Sequence, residues 1–186
     1  MKKNSHKLIY IIAGEPSGDL HASNLMREMK ALENCVCFRG VGGPLMKKEG
    51  LSSLNKVEKF SQLSIMGFWE ILKHLNFFLK LKKLIIADIL YHKPIKIILV
   101  DYPGLNLKIA SSVKKIIDIS ITYYISPQLW AWKAKRINII KKVVDDMVVL
   151  FPFEVKWYKK HNFHVNYFGH PLLDLYKGGG FIKKNK

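Results

Sequence analysis

The chain has 186 residues, 49% of them hydrophobic and 24% charged, the composition of one folded domain with a single core rather than of a disordered polymer. The formal net charge is +17, yet only three of the 31 basic residues are arginine (Arg27, Arg39 and Arg136). Phosphate and base readers favour the arginine fork, so the charge reads as a lysine-rich surface suited to anionic lipid or sugar phosphates, and nucleic acid is not an expected partner.

At the start, Lys2, Lys3 and Lys7 precede an apolar run over residues 8–13. Gly14 and Glu15 break that run and no small-residue cleavage site follows, so it is expected to be a first buried strand and not a secretion signal. No stretch reaches the roughly 18 apolar residues of a membrane span. The expected location is the cytoplasm, in peripheral contact with the inner membrane.

The turn after this strand reads Gly14-Glu15-Pro16-Ser17-Gly18-Asp19-Leu20-His21 and leads into a helix predicted over 19–32. Free N–H groups and the helix dipole at such a turn favour an anionic or polyhydroxyl ligand, which makes Gly14, Ser17, Gly18, Asp19 and His21 candidate substrate contacts. A tight turn with Asp19 as an ordinary cap explains the same residues. The spacing is neither a dinucleotide fingerprint nor a P-loop, and Ser17, Asp19 and His21 lie too close in sequence for a hydrolase triad.

A second strand is predicted over 36–41. Within it, Cys37 lies two positions after Cys35; with no second pair they match neither a zinc site nor a disulfide framework and are expected to be reduced thiols. Helix 66–91 is more apolar than one buried face requires, with Phe68, Trp69, Leu72, Phe77, Phe78 and Leu81 among interleaved lysines. Such a surface suits a membrane or acyl chains, and a central helix buried on two sides would have the same composition.

The most apolar strand, 95–100, delivers Asp101 to its carboxyl end, where open α/β sheets bind ligands. A carboxylate there can act as a general base, or simply form a turn; Asn106 is placed to start the following helix, predicted over 107–117. Strand 121–125 then ends at Ser126-Pro127-Gln128-Leu129-Trp130-Ala131-Trp132. Trp130 and Trp132 are either a platform for a sugar ring or acyl chain, or plugs in the core beneath the loop. Arg136, at the start of helix 134–144, offers a fork to phosphate. Strand 147–150 ends at Phe151-Pro152-Phe153-Glu154, which opens helix 154–161; a last strand, 165–168, ends at Gly169-His170-Pro171. Strands that are continuously apolar and alternate with helices predict an α/β domain: a single, Rossmann-like, doubly wound and mostly parallel sheet over residues 1–176. Gly178-Gly179-Gly180 begins a flexible tail over 177–186.

Taken in order, Gly14–His21, Gly40-Val41-Gly42-Gly43-Pro44-Leu45-Met46, Met66-Gly67-Phe68-Trp69-Glu70-Ile71-Leu72, Val100-Asp101-Tyr102-Pro103-Gly104-Leu105-Asn106, the Trp130/Trp132 segment and Leu150-Phe151-Pro152-Phe153-Glu154 resemble lipid-A-disaccharide synthase, a family of inverting glycosyltransferases with two Rossmann-like domains. The resemblance runs from about residue 7 to about residue 176. It departs at Gly104 and Leu105, where many members carry Asp and an aromatic, and family enzymes extend well beyond this length. The resemblance implies an amino-terminal, acceptor-side domain with Asp101 as base and Glu15 or His21 as alternatives. Ser126, Trp130, Trp132 and Arg136 would contact substrate, and the apolar helix would meet the membrane. It further implies UDP-2,3-diacylglucosamine and 2,3-diacylglucosamine 1-phosphate as substrates, no metal or cofactor, and a donor-binding half supplied elsewhere. A non-catalytic remnant that binds lipid or a partner would carry the same motifs.

Overall fold

The computed structural model describes residues 7–54, 75–131 and 134–175. Six strands form one sheet: β1 (Lys7–Ala13), β2 (Val36–Val41), β3 (Leu51–Ser53), β4 (Lys96–Val100), β5 (Ser120–Tyr124) and β6 (Asp146–Val148). Their order is β3-β2-β1-β4-β5-β6 and every pairing is parallel. The chain therefore winds outward from β1 in one direction, returns, and winds outward from β4 in the other. This is the Rossmann-like order expected from the alternation of strands and helices.

Helices cover both faces because successive strand residues point to opposite sides. From β1, Tyr10 and Ile12 join one cluster while Ile9, Ile11 and Ala13 join the other. Helices α1 (Pro16–Leu32) and α2 (Pro44–Lys48) cover the second face through Ala22, Met26 and Met46. The first face is covered by α3 (Leu75–His92), α4 (Pro103–Val113), α5 (Ile137–Val143) and α6 (Pro152–Lys160). A short helix α7 (Leu172–Leu175) follows. Each fully buried aliphatic side chain in these layers, such as Ile85 or Leu99, contributes about 1.5–3 kcal/mol of burial.

Several expectations are corrected. Residues 165–168 make no strand but one parallel bridge, Val148↔Asn166, and Phe168 is exposed. Among the described residues three elements are new, the short strand β3 and helices α2 and α7. Helix α4 begins at Pro103, whose fixed φ suits the first helical position, and not at 107. Phe78 and Leu81, expected at a membrane, are buried on the same stripe of α3 as Ile85 and Ile89 and pack under the sheet. That stripe follows the helical period, so the described part of α3 is amphipathic, with Leu79, Lys80 and Lys83 outward. Phe68, Trp69, Leu72, Trp132 and the tail lie outside the described residues, as does the side chain of Phe77.

Candidate functional site

The parallel register fixes which residues meet at the carboxyl rim. Ala13 pairs with Val100 and Val100 with Tyr124. One step further along each strand places Gly14, Asp101 and Ile125 side by side. Between β1 and β4 the winding direction reverses, and the crevice at such a reversal is where open α/β sheets take their ligands. A cleft of about 450 Å³ opens there, lined among others by Glu15, Asp101, Tyr102, Ser126, Gln128 and Arg136.

The rim is built from unusual backbone. Asp101, Tyr102 and Ile125 have φ of 48°, 43° and 67°, the left-handed region that non-glycine residues seldom occupy. Each such residue costs about 1–3 kcal/mol and persists only where its surroundings over-determine it. The Asp101 N–H donates to the Tyr124 carbonyl at 3.2 Å, which ties this turn to β5. Gly14 lets the Tyr102 ring approach closely: a Cβ there would lie 3.0 Å from the ring, which would have to give way by a few tenths of an ångström.

Charge at the cleft is concentrated in few groups. Burial raises the Asp101 carboxyl above the usual carboxylate range, opposed by a hydrogen bond from the Tyr102 N–H and by His21. Burial also raises Glu15, and the neighbouring Asp101 adds to the rise. Burial lowers His21, His170 lowers it further, and Asp101 opposes the change. Glu15 and His21, both from the start of α1, thus sense Asp101 after β4, and His21 also senses His170 near the end of the described chain. Arg136 ends a short 3₁₀ turn (Ala134–Arg136) on the opposite wall, and among the described residues it pairs with no carboxylate. The arrangement offers two carboxyls whose hold on a proton is strengthened by burial and one cation able to hold an anionic substituent. Among the described residues no group of three or more His, Cys, Asp or Glu is arranged to hold a metal ion.

Three expected ligand contacts have other work. The Asp19 carboxylate is only 5% exposed and accepts hydrogen bonds from the N–H groups of Gly43, Leu45 and Met46 at 2.9, 3.0 and 3.0 Å. It therefore caps α2 rather than its own helix, and its oxygens do not face the cleft. Gly18 is buried against Ala13 and Val100 and brings α1 close to the sheet. Ser126 lines the cleft, but its hydroxyl donates to the buried Glu154 at 2.8 Å. Ser17 is exposed on the first turn of α1. Trp130 is half-exposed, set edge-on against Phe153 with ring centres 4.9 Å apart, so it flanks the rim instead of flooring it.

Glu154, expected only to open a helix, and Tyr158, not anticipated from the sequence, organise the far wall. Glu154 accepts hydrogen bonds from the Leu150 and Phe151 N–H groups at 3.0 and 2.9 Å as well as from Ser126, and so binds the loop after β5 to the start of α6. Tyr158 in α6 donates to the Pro127 carbonyl at 3.3 Å. A Glu three residues into a helix signals reach-back to its own N-terminus; nothing local reveals that the same carboxylate holds Ser126.

Comparison with known proteins agrees with the motifs along this cleft. A family model described as lipid-A-disaccharide synthetase matches residues 9–183. The lipid-A-disaccharide synthase of Trichlorobacter lovleyi is 40% identical over 173 residues, covering 91% of this chain and 43% of that protein. That of Nitrosococcus oceani is 42% identical over 170 residues, with 91% and 43% covered. Lipid-A-disaccharide synthase 1 of Legionella pneumophila is 40% identical over 165 residues, with 89% and 42% covered. The chain spans less than half the length of these relatives. With the match running through all six strands and both carboxyl-bearing turns, the chain belongs to the lipid-A-disaccharide synthase family.

Proposed function

We propose that this chain forms the acceptor-side domain of an inverting glycosyltransferase that condenses UDP-2,3-diacylglucosamine with 2,3-diacylglucosamine 1-phosphate, giving a β-1,6-linked disaccharide 1-phosphate and UDP. The observation that carries this reading is the pair of carboxyls, Glu15 and Asp101, raised by burial and set on one cleft at the reversal of strand order. In this reading Asp101 takes the proton of the acceptor's 6-hydroxyl as that oxygen attacks the anomeric carbon and UDP departs from the opposite side. Glu15 serves as the alternative proton acceptor, and Arg136 faces the acceptor phosphate. The nucleotide is held by a further domain, consistent with relatives that extend well beyond the matched region. The acylated substrates place the protein at the inner face of the membrane. No helix among the described residues is long and apolar enough to cross one.

The test is turnover by this chain assembled with a carboxyl-terminal half from a relative. Asp101→Asn is expected to lower turnover by about 10²-fold or more with folding intact. Turnover that matches the parent removes Asp101 as base, and a loss in Glu15→Gln alone transfers the role to Glu15.

A further inference from the structure

We infer that Tyr123 and Asn106 are positioning residues for the proposed base: their two donors clamp the main-chain oxygen of Asp101 and so hold the left-handed Asp101–Tyr102 turn that presents the carboxyl to the cleft. The inference rests on the reading of Asp101 as base. The Tyr123 hydroxyl donates to the Asp101 carbonyl at 2.6 Å and the Asn106 side-chain amide donates to the same oxygen at 2.7 Å. Asn106 also reaches the Val100 carbonyl at 3.2 Å, so one amide group holds two consecutive carbonyls of the turn. Both lone pairs of the Asp101 oxygen are thereby engaged.

The donors come from different elements. Tyr123 belongs to β5 and Asn106 to α4, and each is fully buried. Neither donor is open to bulk water, and loss of either leaves the Asp101 oxygen with one partner in place of two. A helix cap would explain Asn106 alone, but α4 takes its N-cap from Tyr102 with no side-chain hydrogen bond, and the Asn106 side chain points back past the helix to the strand. A packing role would explain Tyr123 as a ring, but not a hydroxyl aimed at the Asp101 carbonyl of the left-handed turn. Beyond the turn, the Tyr102 ring rests on Gly14, so the same clamp sets the spacing between the two carboxyl-bearing turns.

The test uses Tyr123→Phe, which keeps the ring and removes only the donor. Carbon-13 carboxyl NMR of this chain, with the Asp101 signal assigned from Asp101→Asn, follows the titration of that one group. In Tyr123→Phe the Asp101 midpoint should move down toward the ordinary carboxylate range, because the released turn lets the carboxyl swing toward water. In the assembled enzyme kcat should fall about tenfold with KM little changed, the signature of a misplaced group rather than of lost substrate binding. Ser111→Ala is the control, since it removes a hydroxyl bonded at 2.7 Å to the Leu107 carbonyl elsewhere on α4. An Asp101 midpoint that stays in place in Tyr123→Phe, or moves as far in Ser111→Ala, overturns the clamp. Failure of the base reading is separate: it shows as unchanged turnover in Asp101→Asn, whatever the titration in Tyr123→Phe does.

Discussion

Asp101 and Glu15 bind protons more tightly in the folded chain than in the unfolded one, chiefly because burial disfavours their charged forms. The stability linked to each is therefore present below the ordinary carboxylate range and is lost as pH rises through the raised folded value. At neutral pH both carboxylates act against the fold. Asp101→Asn and Glu15→Gln are accordingly expected to raise the melting temperature by a few degrees at pH 7, and the gain should vanish in thermal scans at pH values below the ordinary carboxylate range. Equal gains at both pH values would show that charge is not the cause. Opposite signs in turnover and stability would mark groups held in place for function. The positions of these two carboxyls were legible because each follows an apolar strand at a turn. The direction in which Asp19 and Ser126 point was not, because their partners lie 24 and 28 residues away along the chain.

At the scale of elements, the start of α2 is tied to α1 by one carboxylate, while Lys30 of α1 bonds Glu49 at the other end of α2 and Met46 packs with Ala22 and Met26. Removing the Asp19 carboxylate leaves three backbone N–H groups of α2 unpaired, one of them fully buried. Hydrogen bonds to a charged acceptor contribute about 1.5–3 kcal/mol each and are partly replaced by water at the exposed positions, so Asp19→Ala should lose about 3 kcal/mol in denaturant titration. A loss below about 0.5 kcal/mol, the range of ordinary surface changes, would show that α2 caps itself. Gly43 belongs to the same joint, since a Cβ there would lie 2.5 Å from the Asp19 oxygen. Helix α2 and strand β3 were not legible because five and three residues carry too little periodicity to register. Helix α3 was legible as a helix but not in its exposure. Counting apolar residues around the whole stretch obscured the regular stripe of Phe78, Leu81, Ile85 and Ile89 that packs beneath the sheet.

For the whole molecule, the two-faced sheet was the most legible feature, because β1 and β4 are apolar at nearly every position and only a strand covered on both sides requires that. The two halves of the winding share β1 and β4 at their centre, and Arg39 on β2 makes a two-pronged pair with Asp88 of α3 at 2.8 and 2.6 Å across the β2 side. These links predict one cooperative unit: far-ultraviolet circular dichroism and tryptophan fluorescence of this chain should report the same denaturant midpoint. Separate midpoints would mean that the halves on either side of the strand reversal unfold independently.

The single bridge between Val148 and Asn166 has a consequence for how the molecule meets its neighbours. After α6 the chain comes back to give β6 two backbone hydrogen bonds, Val149 N–H to Asn166 and Asn166 N–H to Met147. The outermost strand on that border thus already holds part of the pairing that a foreign strand would seek, and β3 on the opposite border is three residues long. Short or occupied borders are poor templates for strand addition. Lateral polymerisation through backbone pairing is disfavoured from the outset, which leaves side-chain surfaces to determine what the protein assembles with.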